Sequence, residues 1–374
     1  MKIEVYSPTI RRKEMDAVLT AMVEEKIGPG ERSRLLIQTA KEQLLFDYAL
    51  ALRSPAVALH LALKALQVKP GQSVIISALS PRYYLQVLQD LQLTPLYCDV
   101  TYDFPCMNRD LIDKTINKKA KENIENGQEG SLLGPDGQIC AIVLHHTLGF
   151  VPDTASITEL GIPVIEDISQ TYGSWYKPSD KKKEEKDSSN LQLPIFYSQF
   201  TILGLEERDM LTGGGGALLF SMNRKDSTLL KNFTGIADEY CLPDINAALA
   251  VVQFREVLRN IERRNEIAKI YLQASLPLSS RTKHKRFIMR SEDDANYFSF
   301  SLVLETGLKD VIAYAKKKEI FLENAFDKSI AGAMICENCP VSNSLVLRTV
   351  LFPMYPRLRS HEVERVSRLI MTLP

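Results

Sequence analysis

From Ser54 onward, short apolar runs alternate with amphipathic stretches, and that alternation constrains the fold more than any other feature. Near-continuous apolar strands separated by helices imply a mostly parallel sheet with helices on both faces. The spacing predicts strands over 73–77, 95–100, 140–145, 163–166, 195–200 and 217–220. Helices are expected over 14–25 and 33–50, from Ser54 as N-cap with Pro55 at the first helical position, and over 83–92 and 108–116. The stretch 243–274 contains no glycine and no proline beyond Pro243, and Ile245, Leu249, Val252, Leu258 and Ile261 keep helical spacing. It reads as a helix joining a large domain, 1–242, to a smaller α+β domain, 243–374. The latter is expected to hold a strand over 297–304 and helices over 308–318 and 360–373. Two polar stretches, 118–137 and 177–192, read as solvated loops, because mixed charge with few apolar residues cannot build a core.

The composition narrows function by exclusion. The chain has 374 residues, with 46 lysines and arginines against 46 aspartates and glutamates, so no global field draws it to nucleic acid. No apolar run approaches the roughly 20 residues that span a bilayer, and the charged N-terminus has no signal-like apolar region. The six cysteines form no disulfide framework, and the pair Cys336 and Cys339 has no further zinc ligands in its neighbourhood of the sequence. A reduced, cytoplasmic protein is expected.

Six segments carry a resemblance: ALHLALKALQVKPGQSVII from Ala58, TPLYCDV from Thr94, VIEDISQTYG from Val164, GGGGALLF from Gly213, LPDINAALAVVQF from Leu242 and PVSNSLVLRTVLFPMYPRL from Pro340. In order and separation they are similar to the DegT-type sugar aminotransferases that use pyridoxal phosphate (PLP). The resemblance implies a three-layer α/β transferase fold with a smaller C-terminal domain, and a homodimer with active sites at its interface. It also implies amino transfer to nucleotide-linked keto sugars for surface polysaccharide.

Site residues follow from the resemblance one at a time. Asp167 takes the place of the carboxylate beside the pyridine nitrogen, which keeps the ring able to absorb electrons, and Gln170 that of a ring-contacting glutamine. His145 and His146 end a strand at the sheet's ligand-binding edge, and His146 matches a family histidine. His60, in the ALHLAL helix, matches a packing position. Registering Leu203-Gly204 on the family's pattern puts Thr201 where the Schiff-base lysine belongs, and no lysine occurs between Lys186 and Lys225. A hydroxyl forms no imine, and no histidine replaces the lysine as it does in related dehydratases. The phosphate anchors are altered too. Ser54, Pro55 and Ala56 stand where the family has Ser-Gly-Thr, and proline removes a backbone donor. A phosphate-contacting serine is replaced by Phe196. Glu239 and Cys241 replace an asparagine and an arginine offered by the partner subunit. A carboxylate beside a phosphate costs about 1 to 4 kcal/mol. Pro81 takes the place of the aromatic residue that covers the ring, with Tyr83 and Tyr84 close behind. The glycine run 213–216 matches a structural turn.

Two readings stay open. One is a pseudoenzyme with a degenerate site and no PLP, binding a nucleotide-sugar-like molecule or a partner such as an active paralogue. The other is an active PLP-dependent nucleotide-sugar aminotransferase or dehydratase.

Overall fold

The computed structural model describes residues 2–125, 132–133, 138–174, 196–278, 282–289, 295–305 and 307–374. Of the two polar stretches, 177–192 lies outside the described residues, whereas the first begins inside a helix, α5 below.

Seven strands form the main sheet: β1 (Tyr48–Leu52), β2 (Ser73–Ser77), β3 (Thr94–Cys98), β4 (Ile139–His145), β5 (Val164–Asp167), β6 (Phe200–Gly204) and β7 (Ala217–Ser221). Their order is β1-β7-β6-β5-β4-β2-β3. All pairs from β3 to β6 are parallel, and β7 runs antiparallel to both neighbours. Every residue of β2, β4, β5, β6 and β7 is buried, the pattern of a sheet covered twice.

Alternation assigns the two faces. Val143, Ile165, Phe200, Ile202 and Leu219 pack toward α3 (Pro55–Ala65) and α4 (Tyr83–Asp90). Leu203, Leu218 and Phe220 pack toward α2 (Glu31–Leu44) and the long α8 (Asp244–Ser275). Ile142, Leu144 and Val164 meet Ile112 and Ile116 of α5 (Arg109–Glu125). Helix α1 (Arg12–Val23) precedes the sheet, α6 (Thr154–Thr158) lies between β4 and β5, and α7 (Arg224–Lys231) follows β7.

The helix expected over 33–50 is shorter. Leu45 closes it in the left-handed conformation, φ 56°, and Tyr48–Leu52 pairs antiparallel with β7 as β1. The apolar run through that boundary carries no glycine or proline, so its period alone does not separate helix end from strand start. Strand β6 also differs, beginning at Phe200 rather than ending there.

Helix α8 bridges two cores. Ala247, Val251 and Phe254 belong with α2, whereas Ile267, Ala268 and Tyr271 belong with a second core around the C-terminal sheet. Asp244, in its first turn, accepts from the backbone N–H of Arg32 (3.0 Å) and Ser33 (2.8 Å), capping α2. The C-terminal part holds β8 (Phe300–Val303), α9 (Leu308–Lys317), β9 (Glu323–Asn324), α10 (Ile330–Ala333), α11 (Pro340–Arg348), β10 (Thr349–Phe352) and α12 (Ser360–Met371). Its sheet is antiparallel in the order β8-β10-β9. Ile3 from the start of the chain lies in this second core and bridges to Ile320.

Candidate functional site

The carboxyl ends of β4, β5 and β6 meet where ligands of open α/β sheets bind. Asp167 is the last residue of β5, paired with His145 on one side and Ile202 on the other. Its side chain therefore points to the face covered by α3 and α4, as Ile202 does. There its oxygens are fully engaged. Oδ1 accepts from the backbone N–H of Ser169 at 3.1 Å and from the Ser169 hydroxyl. Oδ2 accepts from the hydroxyls of Tyr83 at 3.1 Å and Tyr84 at 2.7 Å. Both tyrosines sit in the first turn of α4, and burial, then the Asp167 charge, pushes both phenols well above the usual tyrosine range. The His145 ring packs edge-on to Tyr84 at 6.3 Å, and burial lowers its pKa, keeping it neutral.

A second carboxyl, Asp209, lies in the loop after β6. It accepts from the Glu206 backbone N–H at 2.9 Å. Burial raises its pKa well above the ordinary value, and the neighbouring Asp167 charge adds to the effect. Gly204 permits this arrangement, since a Cβ there would collide with Asp209 Oδ2 and Ser169 Oγ.

Thr201 does not join this cluster. It pairs with Glu166, so it faces the opposite side of the sheet, where its hydroxyl stands 3.2 Å from Ser198 Oγ. His146 is on that side as well. Its Nε2 meets Glu166 at 3.2 Å and its Nδ1 meets Thr171 at 2.8 Å, while the Thr154 hydroxyl donates to Glu166 at 2.6 Å. Burial alone would push the Glu166 carboxyl up, but the contacts with His146, Thr154 and Ser198 together hold the group below its ordinary value. Between β6 and the glycine run the only basic residue is Arg208. Its guanidinium makes a two-pronged pair with Glu323 (2.6 and 3.2 Å) and lies 5.5 Å over the Tyr6 ring.

The other expected positions fall as follows. Gln170 accepts from the Leu148 N–H at 2.7 Å and so holds the turn after β4. Ser54 is the N-cap of α3, accepting from Val57 N–H at 3.3 Å, and its carbonyl accepts from Ala58 N–H. Pro55 contributes no donor, leaving the Ala56 N–H as the first-turn amide not consumed by these bonds. Pro81 bridges to Ser329 of the C-terminal part, and the Arg82 guanidinium donates to the Ser329 carbonyl at 3.2 Å. Phe196 is half-buried with its ring against Phe220. Glu239 is exposed in a short 3-10 turn, and Cys241 bridges to Leu52. His60 is half-buried on α3, with its pKa lowered by burial and by Lys64. In the glycine run, Gly214, Gly215 and Gly216 all have positive φ, and the Asn246 side chain donates to the Gly213 carbonyl at 2.9 Å. It is a locked turn before β7. Sequence reasoning missed Ser169 and Asp209, whose signal was only proximity to Asp167 across two loops. Among the described residues no group of His, Cys, Asp and Glu could hold a metal, and no helix is long and apolar enough to cross a membrane.

Comparison with known proteins gives the fold its context. Aminotransferase TlmJ from Streptoalloteichus hindustanus superposes with a TM-score of 0.77 at 18% identity, covering 99% of this chain and 98% of that one. A DegT/DnrJ/EryC1/StrS aminotransferase from Brucella abortus gives 0.79 at 18% identity, covering 96% and 94%. The PLP form of Spr1654 from Streptococcus pneumoniae gives 0.80 at 17%, covering 100% and 98%. At these identities the likeness is one of fold. Residues 8–371, nearly the whole chain, match the family model itself, and the protein belongs to the DegT/DnrJ/EryC1/StrS aminotransferase family.

Proposed function

We propose that this chain is a pseudoenzyme of its family. It keeps the scaffold, does not tether PLP, and serves as a binding or partner protein in surface-sugar biosynthesis. The observation that carries this reading is the saturation of Asp167. A pyridine N–H needs a free carboxylate oxygen, and here Ser169 occupies one while Tyr83 and Tyr84 occupy the other. Tyr84 is fully buried, so its ring cannot leave without opening a cavity in a close-packed layer.

The remaining requirements for PLP are unmet in the same direction. Thr201 faces away from Asp167, and Arg208, which follows β6 and precedes the glycine turn, is a guanidinium already paired with Glu323. Neither supplies a primary amine. The start of α3 offers one amide where an anion needs several, and Glu239 adds negative charge at a position the resemblance assigns to phosphate binding by a partner subunit. The residues present do not fit PLP, and what remains to the cleft is recognition. The role in a surface-sugar pathway, in the cytoplasm and beside an active relative, rests on family membership.

The test is direct. Purified protein titrated with PLP is expected to stay colourless, and borohydride reduction followed by peptide mass spectrometry is expected to find no pyridoxyl group on any lysine. A visible absorbance band that borohydride bleaches, with a labelled lysine, would establish the active-enzyme reading instead.

A further inference from the structure

In the C-terminal part, a cavity of about 480 Å³ opens where a strand pair comes apart. Small-molecule sites run from about 300 to 1,000 Å³. One wall is the outer edge of β8. Lys285 bridges to Val303 there, N–H to carbonyl in both directions, at 2.9 and 2.8 Å. In an antiparallel ladder the next such pair comes two residues on, Phe287 with Ser301. It is not made. The Ile288 N–H donates to the Asp103 carbonyl at 2.7 Å, which ties this segment to the loop after β3 rather than to β8.

Val303 turns its N–H and carbonyl outward to Lys285, so Ser301, two residues earlier on β8, turns its own outward too. Among the described residues neither group has a partner, and the same holds for the Ser301 hydroxyl and the backbone groups of Phe287. Both residues are buried, at 8% and 6% exposure. Buried peptide groups are rarely left unpaired, so an occupant of this gap must bring both donors and acceptors. The other polar groups of the wall are already used. The Ser275 and Ser299 hydroxyls donate to the carbonyls of Leu272 and Leu148, and His284 bonds through both ring nitrogens. At the rim, Lys285 with Arg286 beside it carries positive charge and Asp103 negative charge. The remaining lining is apolar, with Leu272, Leu276 and Phe300 facing Phe287 and Phe150.

We infer that this cavity binds an apolar α-amino acid. Its carboxylate meets the Ser301 N–H and hydroxyl beside Lys285, its ammonium meets the Phe287 carbonyl and Asp103, and its side chain lies among Leu272, Leu276 and Phe300. A fatty acid would leave the carbonyls and Asp103 unmatched, and a simple amine would leave Lys285 and the Ser301 N–H unmatched. The zwitterion answers both. The site is separate from the Asp167 cleft and does not depend on how that cleft is used.

The experiment is isothermal titration calorimetry on the full chain with L-phenylalanine, L-leucine and L-tryptophan. Two truncated analogues are compared with them, 3-phenylpropanoate without the amine and 2-phenylethylamine without the carboxylate. At least one of the amino acids is expected to bind at one site per chain, and each analogue at least tenfold more weakly. Lys285 and Asp103 are exposed, so both can be changed without disturbing a core, and circular dichroism confirms the fold. Lys285→Met is expected to weaken the amino acid at least tenfold and leave 2-phenylethylamine unchanged. Asp103→Asn is expected to weaken the amino acid and leave 3-phenylpropanoate unchanged. Binding of none of the three amino acids, analogues that bind as tightly as the amino acid, or folded variants with unaltered affinity would each overturn the assignment and leave the gap to water.

Discussion

Asp209 is a carboxyl held against its own ionisation, chiefly by burial and further by the charge of Asp167. The native state therefore binds its proton more tightly than the unfolded chain does. From the ordinary aspartate pKa of about 3.9 up to the raised native value, the folded protein carries the extra proton, so stability falls as pH rises through that window. Asp209→Asn keeps the acceptor for the Glu206 N–H and removes the titration. The variant is expected to be more stable than the parent at neutral pH, with the difference vanishing below about pH 3.9. Urea midpoints measured across pH would show it, and parallel curves would refute it. Beside it, Tyr84→Phe removes the hydroxyl that donates to the buried carboxylate at 2.7 Å and keeps the ring. The loss should be about 1.5 to 3 kcal/mol by chemical denaturation. At this scale the sequence showed Asp167 and two nearby tyrosines but not their relation. Their hydroxyls donate to the carboxylate, a contact that depends on how α4 sits against the end of β5. The face that Thr201 takes was not legible either. Aligning a Leu-Gly pair fixes a register, and one residue of register in a strand reverses the face.

Among the elements, α8 bears most on how the molecule is joined. Arg264, in its second half, is buried and donates to the carbonyls of Tyr297 (3.3 Å), Phe298 (2.9 Å) and Met354 (2.9 Å). Burial lowers its pKa to about 10, which leaves it charged at neutral pH. Arg264→Leu would strand three buried acceptors at once. The expected cost is on the order of 3 kcal/mol or more, measurable as a lowered urea midpoint, and a loss under about 1 kcal/mol would show that water replaces the guanidinium. The helix itself was legible from periodicity, 243–274 expected against Asp244–Ser275 found, because a long run without breakers has one reading. Strand β1 was not, since five residues that continue an apolar pattern look helical until their partner β7, some 170 residues away, is known. Pairing is a tertiary fact, and sequence period alone does not hold it.

For the whole molecule, the division at 242 follows a helix that both parts need. The core beside α3 and α4 includes Phe326, Ile330, Cys339 and Leu345 from beyond that point, and the core beside α2 includes Ala250, Val251 and Phe254 of α8. Asp244 also supplies the N-cap of α2. Domains fold independently when each closes its own core, and the cores of 1–242 draw on residues beyond that boundary. The full chain is therefore expected to unfold in one calorimetric transition, and Arg264→Leu is expected to move that transition to lower temperature as a unit rather than split it. A fragment of residues 1–242 is expected to lack native packing, shown by the loss of near-ultraviolet circular dichroism with much of the far-ultraviolet signal retained. Two separated calorimetric peaks, or a fragment with a native-like near-ultraviolet spectrum, would mean that the sheet domain is complete without α8. The shared cores would then be only a docking surface between independent folds.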